Sequence, residues 1–351
     1  MDRKDEIIRL QNRILHEYAQ HELKMIGNDL WGKPADPKVK KLHEKVADIT
    51  KEAPLAQADE VKKTDENPTV SNEKESQPEN IEDLKKELHG YIGLDLIKDE
   101  VESLINWIEI CKQRQAFDLP TPELSLHMVF SGNPGTGKTM IARLMARIYH
   151  SLGILSKGQL VEVDRSGLVA GYVGQTAGKT TEVIKKALGG VLFIDEAYTL
   201  INKSENDFGQ EAVDTILKAM EDNRDDLVVI VAGYTELMEE FIHSNPGLES
   251  RFNRFMHFPD YTIAEMLAIF DMRCGQSGYL LADNARDELQ RILEEKSQDI
   301  GGFGNARGVR NLFEKAIAEQ ADRLAISDSP LTKEILMTLT EEDINAAAEK
   351  A

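Results

Sequence analysis

Gly132-Asn133-Pro134-Gly135-Thr136-Gly137-Lys138-Thr139 is the stretch whose reading decides the fold. It has the form G-x-x-x-x-G-K-T. Glycines let successive backbone N–H groups turn toward phosphate oxygens, the lysine reaches the terminal phosphates, and the threonine hydroxyl is a magnesium ligand. The flanks matter as much as the pattern. Residues 127–130, His-Met-Val-Phe, read as a short buried strand leading in, and Ile141, Leu144, Met145 and Ile148 share one face of a helix leading out.

Downstream lies Val191-Leu192-Phe193-Ile194-Asp195-Glu196, an apolar strand that ends in two acids. Such acids are costly unless they work at the carboxyl edge of a sheet. Asp195 is placed to hold magnesium, mostly through water, and Glu196 to polarise an attacking water. With the loop residues Gly132 to Thr139 as ATP contacts, and Thr139 and Asp195 as the Mg2+ ligands, both halves of a hydrolytic site are present. That favours an ATPase over a passive nucleotide binder.

Further out, apolar runs at 127–130, 160–163, 191–194, 227–231 and 255–258 alternate with helical stretches. The order predicts an α/β fold: a five-stranded, mostly parallel sheet with helices on both faces. After Asp260 the strands are expected to stop. Thr262-Ile263-Ala264-Glu265 and Thr340-Glu341-Glu342-Asp343 look like capping boxes that start helices, so 261–351 reads as a small all-helical lid. Upstream, helices are expected over 3–31 and 36–50. From 62 to 80 the only apolar side chain larger than alanine is Val70, too little to offset the entropy of ordering. The domain reading is therefore a helical appendage over 1–52, a flexible linker over 53–80, an ATPase core over 81–260 and the lid.

The net charge is −20, from 62 acidic and 42 basic residues. This argues against a protein whose main task is gripping nucleic acid. Two distant cysteines, Cys111 and Cys274, read as reduced buried thiols. No apolar run reaches membrane-span length and the start lacks a signal-peptide core, so the expectation is a cytoplasmic protein with no membrane partner.

With these residues in place, the chain resembles the AAA+ ATPases over roughly residues 82 to 345, and within them the CbbX/SpoVK-like group. The resemblance rests also on Tyr172-Val173-Gly174, Asp207-Phe208-Gly209-Gln210-Glu211-Ala212, Ala232-Gly233-Tyr234, Asn245-Pro246-Gly247-Leu248 followed by Ser250-Arg251-Phe252, and Gly304-Asn305-Ala306-Arg307. It implies a ring homo-oligomer, usually a hexamer, with ATP sandwiched between neighbouring copies. Arg251 then implies a finger reaching the neighbour's γ-phosphate, with Arg254 as substitute and a local pairing with Glu249 or Asp260 as the plain alternative. Arg307 resembles the lid arginine that touches the γ-phosphate of its own subunit, with Arg310 as competitor. Ile92 and Gly93, in Tyr91-Ile92-Gly93-Leu94, resemble the segment that packs on adenine; a simple helix-entry turn explains them otherwise. Tyr234, with Thr235 beside it, stands where most of the family has a polar first-sensor residue. Asp207-Phe208-Gly209 matches a kinase magnesium motif, but no kinase catalytic loop accompanies it, and it reads as a loop near the central pore.

The loop Tyr172-Val173-Gly174 carries the clue to the task. Glycines frame the tyrosine, and in a ring of this family the loop faces the central channel. An aromatic there grips an extended polypeptide without reading its sequence; the alternative is a tyrosine covering a local apolar patch. The leading expectation is a remodelling ATPase that threads a protein substrate, of the sporulation or another housekeeping type. Two other readings stay open. One is a nucleic-acid motor or loader, for which Lys179, Lys185 and Lys186 are the only nearby cluster. The other is a nucleotide-gated scaffold whose N-terminal helices dock a partner or adaptor.

Overall fold

The computed structural model of the protein describes residues 78–122, 125–172, 174–201, 208–327 and 330–350. The helices expected over 3–31 and 36–50, nearly all of the 53–80 linker, Val173 and Asp207 lie outside the described residues. Of the described residues, those from 78 to 320 and from 330 to 350 belong to one compact unit, and the C-terminal end of one long helix, from Ala321, falls outside it.

Two helices, α1 (Ile81–Gly90) and α2 (Asp95–Ala116), precede the sheet. Then come β1 (Met128–Gly132), α3 (Lys138–Ser151), β2 (Leu160–Val163), the single turn α4 (Arg165–Leu168), α5 (Thr176–Ala187) and β3 (Val191–Ile194). They are followed by α6 (Gly209–Asp222), β4 (Val228–Gly233), α7 (Thr235–His243), α8 (Pro246–Arg251) and β5 (Arg254–Phe258). The five strands form one sheet in the order β2-β3-β4-β1-β5. Every neighbour pair is parallel; Phe130, for example, lies opposite both Ala232 and Met256.

The sheet is apolar on both faces. Val129, Leu192, Ile194, Val229 and Val231 enter one cluster with Ile184, Val213, Ile216, Met238, Phe241 and Phe252. The residues between them, Met128, Phe130, Val191, Phe193, Val228 and Ile230, are buried as well. A strand covered on both sides shows a run of apolar residues rather than alternation, which is why runs located the inner strands β1, β3 and β4; the edge strands β2 and β5 are only partly covered. Strand β1 extends beyond its apolar run: Ser131 and Gly132 pair with His257 and Phe258 of β5, because backbone pairing needs no apolar side chain.

The segment after Asp260 begins as expected. Both Thr262 with Glu265 and Thr340 with Asp343 close capping boxes, starting α9 (Ile263–Ser277) and α14 (Glu341–Glu349). Between them run α10 (Asp283–Lys296), α11 (Ile300–Phe303), α12 (Asn305–Ile326) and α13 (Lys333–Met337). One expectation needs correcting, that strands stop after Asp260. Leu280–Leu281 (β6) and Thr338–Leu339 (β7) form a small parallel pair. Two residues are too short to leave a periodic signal.

Glu79 and Asn80, placed by sequence at the end of the linker, are held firmly. Arg147 of α3 donates through Nε and Nη2 to the Glu79 carboxylate at 2.7 Å each, and through Nη1 to Glu87 of α1 at 2.8 and 2.9 Å. Ser151 Oγ donates to the Glu79 carbonyl at 2.7 Å. This bidentate pairing holds the Glu79 carboxyl below the usual glutamate range.

Candidate active site

The phosphate loop leaves the middle of the sheet at the end of β1 and turns into α3. Gly137 caps that helix with φ +97°, so the first N–H groups of α3 are left without helical partners, as an anion site requires. Gly135 has φ +74°, and a Cβ there would lie 2.1 Å from the Gly304 carbonyl oxygen. Only glycine lets loop and lid approach so closely. Thr136, fully buried, donates through Oγ1 to the Asn133 carbonyl at 2.8 Å and braces the loop from behind.

Lys138 Nζ donates to the Gly132 and Asn133 carbonyls, at 2.8 Å each. Burial draws this ammonium below the usual lysine range; Asp195 and Asp260 oppose the shift and Arg307 adds to it. The side chain therefore sits across the loop, among charges that decide how strongly it attracts phosphate.

A cavity of about 350 Å³ opens in front of the loop. Gly132, Pro134, Gly135, Gly137, Lys138 and Thr139 line one side, with Asp195, Glu196, Tyr234 and Arg307 around them. Asp195 follows the buried β3, and its N–H donates to the Val163 carbonyl of β2 at 2.8 Å. Its Oδ1 accepts the Glu196 N–H at 3.0 Å. Glu196 has φ +48° and ψ +42°, the left-handed region, and starts a 3-10 turn over Ala197–Leu200. A non-glycine residue held there is strained by roughly 1–2 kcal/mol. The turn lets two consecutive acids face one cavity. Thr139 and Asp195 supply an oxygen pair of the kind magnesium takes together with waters and phosphate.

The lid reaches this cavity through one short segment. Arg307, in the first turn of α12, lines it, whereas Arg310 pairs with Glu314 at 2.7 Å on the same helix. Asn305 Nδ2 donates to Asp260 Oδ1 at 2.8 Å and to the Pro134 carbonyl at 3.3 Å. Asp260 also takes Asn133 Nδ2, at 3.0 and 2.9 Å. Sequence reasoning gave neither residue a role in this site: Asp260 entered only as a possible local partner of Arg251, and Asn305 only as part of the Gly304–Arg307 stretch. The one signal was Asn305 beside Arg307 in a glycine-rich stretch, a residue type enriched at positive φ; here φ is +53°.

Other expected site residues lie elsewhere. Ile92 and Gly93 are not among the cavity's lining residues. Gly93 packs against Glu265 and Tyr261, and its neighbour Leu94 reaches the space beside Gly137. Arg251, at the end of α8, is also away from the cavity, pairing with Glu221 at 3.3 Å. Its Nε is buried without a hydrogen-bond partner. Arg254 stacks on Trp107, 4.7 Å from the ring centroid, and donates to the Ser125 carbonyl. Tyr172 is 75% exposed, and Gly171 and Gly174 on either side have open space around them. Of the basic cluster, Lys179 donates to the Ser166 and Val169 carbonyls. Cys111 and Cys274 are buried free thiols, and burial pushes Cys274 up to about 12. Among the described residues no helix is long and apolar enough to cross a membrane.

Comparison with known proteins adds family context to this geometry. Residues 128–260 match the model described as ATPase family associated with various cellular activities (AAA), and residues 262–351 match the AAA lid domain. The chain is 40% identical over 271 residues to Stage V sporulation protein K of Bacillus subtilis, covering 77% of this chain and 84% of that one. It is 44% identical over 269 residues to Protein CbbX of Cereibacter sphaeroides, covering 76% and 86%. With the chloroplastic ribulose bisphosphate carboxylase/oxygenase activase of Cyanidioschyzon merolae it shares 42% over 266 residues, 75% and 89%.

Proposed function

Because the chain belongs to the AAA ATPases, in the group that includes Stage V sporulation protein K and CbbX, we propose that it works as a ring of copies that spends ATP to remodel protein chains. Six copies is the number the family pattern favours. The observation that carries the reading is Tyr172, solvent-exposed on a loop between glycines that nothing crowds. A tyrosine covering a local patch would be buried. An exposed aromatic on a movable loop suits a sequence-indifferent grip on polypeptide.

The chemistry assigns each residue a task. The glycine loop and Lys138 hold the phosphates of ATP. Thr139 and Asp195 would hold magnesium, which when bound neutralises charge on the phosphate oxygens. Glu196 accepts the proton of the attacking water, Tyr234 borders the same space, and Arg307 brings the lid to the γ-phosphate. Arg251 is assigned to the neighbouring copy's site, since its own cavity lies elsewhere. Ile92 and Gly93 keep their assignment near adenine, reached through Leu94.

The client is proposed to be a protein, not a nucleic acid. The charge of −20 opposes a phosphate-gripping surface, and Lys179, the member of the basic cluster nearest Tyr172, is engaged with loop carbonyls. We place the client in a bacterial cytoplasm; of the relatives, one is named for sporulation and another as an activase of an enzyme. The segment before residue 78 is assigned to an adaptor or partner.

The test is a trapping capture in the native cell with full-length Glu196→Gln, with and without Tyr172→Ala. Polypeptides should co-purify with the single variant only when ATP is present, and the added Tyr172→Ala should release them. Capture indifferent to ATP or to Tyr172, or strong stimulation of ATPase by DNA, would overturn the reading.

A further inference from the structure

We propose that Asn305 is a positioning residue for ATP hydrolysis: it hangs the phosphate loop and the lid on one carboxylate, Asp260, and so sets where Arg307 stands. This rests on the reading of Arg307 as the lid's contact to the γ-phosphate.

Asn305 is fully buried. Its amide has one acceptor oxygen and two N–H donors, and both ends are engaged across segments distant in sequence. Oδ1 accepts the Tyr261 N–H at 2.9 Å, fixing the hinge where lid leaves core. Nδ2 donates to Asp260 Oδ1 at 2.8 Å and to the Pro134 carbonyl at 3.3 Å. Asp260 is shared, because Asn133 Nδ2 donates to both of its oxygens at 3.0 and 2.9 Å. Beside this pair, the Ala306 N–H donates to the Gly135 carbonyl at 3.3 Å. Three consecutive loop residues thus meet Asn305 and its neighbour directly or through Asp260, and Arg307 follows two positions on.

The backbone alone does not explain the side chain. At φ +53° glycine would be the easier residue, so a buried asparagine there is explained by its hydrogen bonds. A buried amide engaged at both ends rigidifies the segments it joins. A shift of the loop as it closes on phosphate is therefore carried through Asn133, Pro134 and Asp260 to Asn305, and the first turn of α12 moves with it.

The experiment compares steady-state ATPase of full-length wild type, Asn305→Gly, Arg307→Ala and the double variant, at a temperature where melting curves show all four folded. Glycine keeps the left-handed backbone and deletes the amide. A misplacement of about 1 Å can cost up to ~10²-fold, so Asn305→Gly is expected to lower kcat by about tenfold and Arg307→Ala by about a hundredfold. The double variant should match Arg307→Ala within about twofold, because a misplaced group that is already absent costs nothing more. Multiplied losses, near ~10³-fold, would show that Asn305 acts independently of Arg307 and would overturn the inference. An active Asn305→Gly beside an inactive Arg307→Ala would overturn it alone, whereas an active Arg307→Ala would remove the reading of Arg307 beneath it. Should Asn305→Gly fail to fold, the isosteric Asp260→Asn is paired with Arg307→Ala in the same design, with the same outcomes.

Discussion

One methyl group added to the phosphate loop measures how closely the lid is seated. In Gly135→Ala the new Cβ would stand 2.1 Å from the Gly304 carbonyl oxygen, 3.0 Å from Arg307 N and 3.1 Å from Arg307 Cβ. An unstrained carbon–oxygen contact is about 3.3–3.6 Å, so loop and lid must part by about 1 Å. The substitution also forces an L side chain to φ +74°, worth roughly 1–2 kcal/mol. Gly153→Ala separates the two effects. Its φ is +63°, and its new Cβ would meet only Lys112 Nζ, at 3.5 Å. Both variants should lose about 1–2 kcal/mol of stability from the backbone, Gly135→Ala somewhat more. Only Gly135→Ala should lose activity, by about 10²-fold for a 1 Å displacement at the site. The assays are urea denaturation and steady-state phosphate release. If both retain wild-type kcat/KM while showing equal stability losses, the close seating of lid on loop has no part in catalysis.

Arg251→Ala should lower kcat by about 10³-fold or more, yet mixing it with Glu196→Gln should restore part of the activity, since one mixed interface then carries both groups intact; a mixture as inactive as its parts refutes the shared site. His127 is buried, its Nδ1 accepting the Val229 N–H at 3.0 Å, and burial lowers it to about 4. Its folded value lies below the unfolded one, so stability is full above pH ~6.5 and falls between there and pH ~4, by about 3 kcal/mol. His127→Gln, which keeps an acceptor, should flatten that part of a stability–pH curve, and an unchanged slope refutes the assignment. Arg147→Ala should cost about 1–2 kcal/mol at neutral pH, less than a fully buried pair because Glu79 is partly exposed. The Glu79 carboxyl is depressed when folded, so the gap between variant and wild type should persist above pH ~4.5 and close on acidification; a gap that widens in acid would show that another interaction had been lost.

The sequence made the local part of the site legible. The glycines and Lys138 act within eight consecutive residues, and Asp195 and Glu196 end a strand whose apolar run is unmistakable. What it hid is long-range. Nothing in Asp260 or Asn305 announces that they meet, because they are separated by 44 intervening positions and joined only through the fold. Glu79 read as linker for the same reason: its partner Arg147 is 68 residues away. The β6–β7 pair was too short to show a pattern. Arg307 and Arg310 could not be separated by spacing alone; a local partner, Glu314, occupies one, and the other lines the cavity.

The Arg147 clamp also fixes a load path. Four charge-assisted hydrogen bonds join Glu79 and Glu87 to α3, the helix whose first residue is Lys138. Tension applied upstream of Glu79 therefore enters the core directly at the phosphate-loop helix, bypassing the peeling of α1. A pull from that side would be delivered to the same helix that carries the phosphate loop at its other end, without any contact in the cavity.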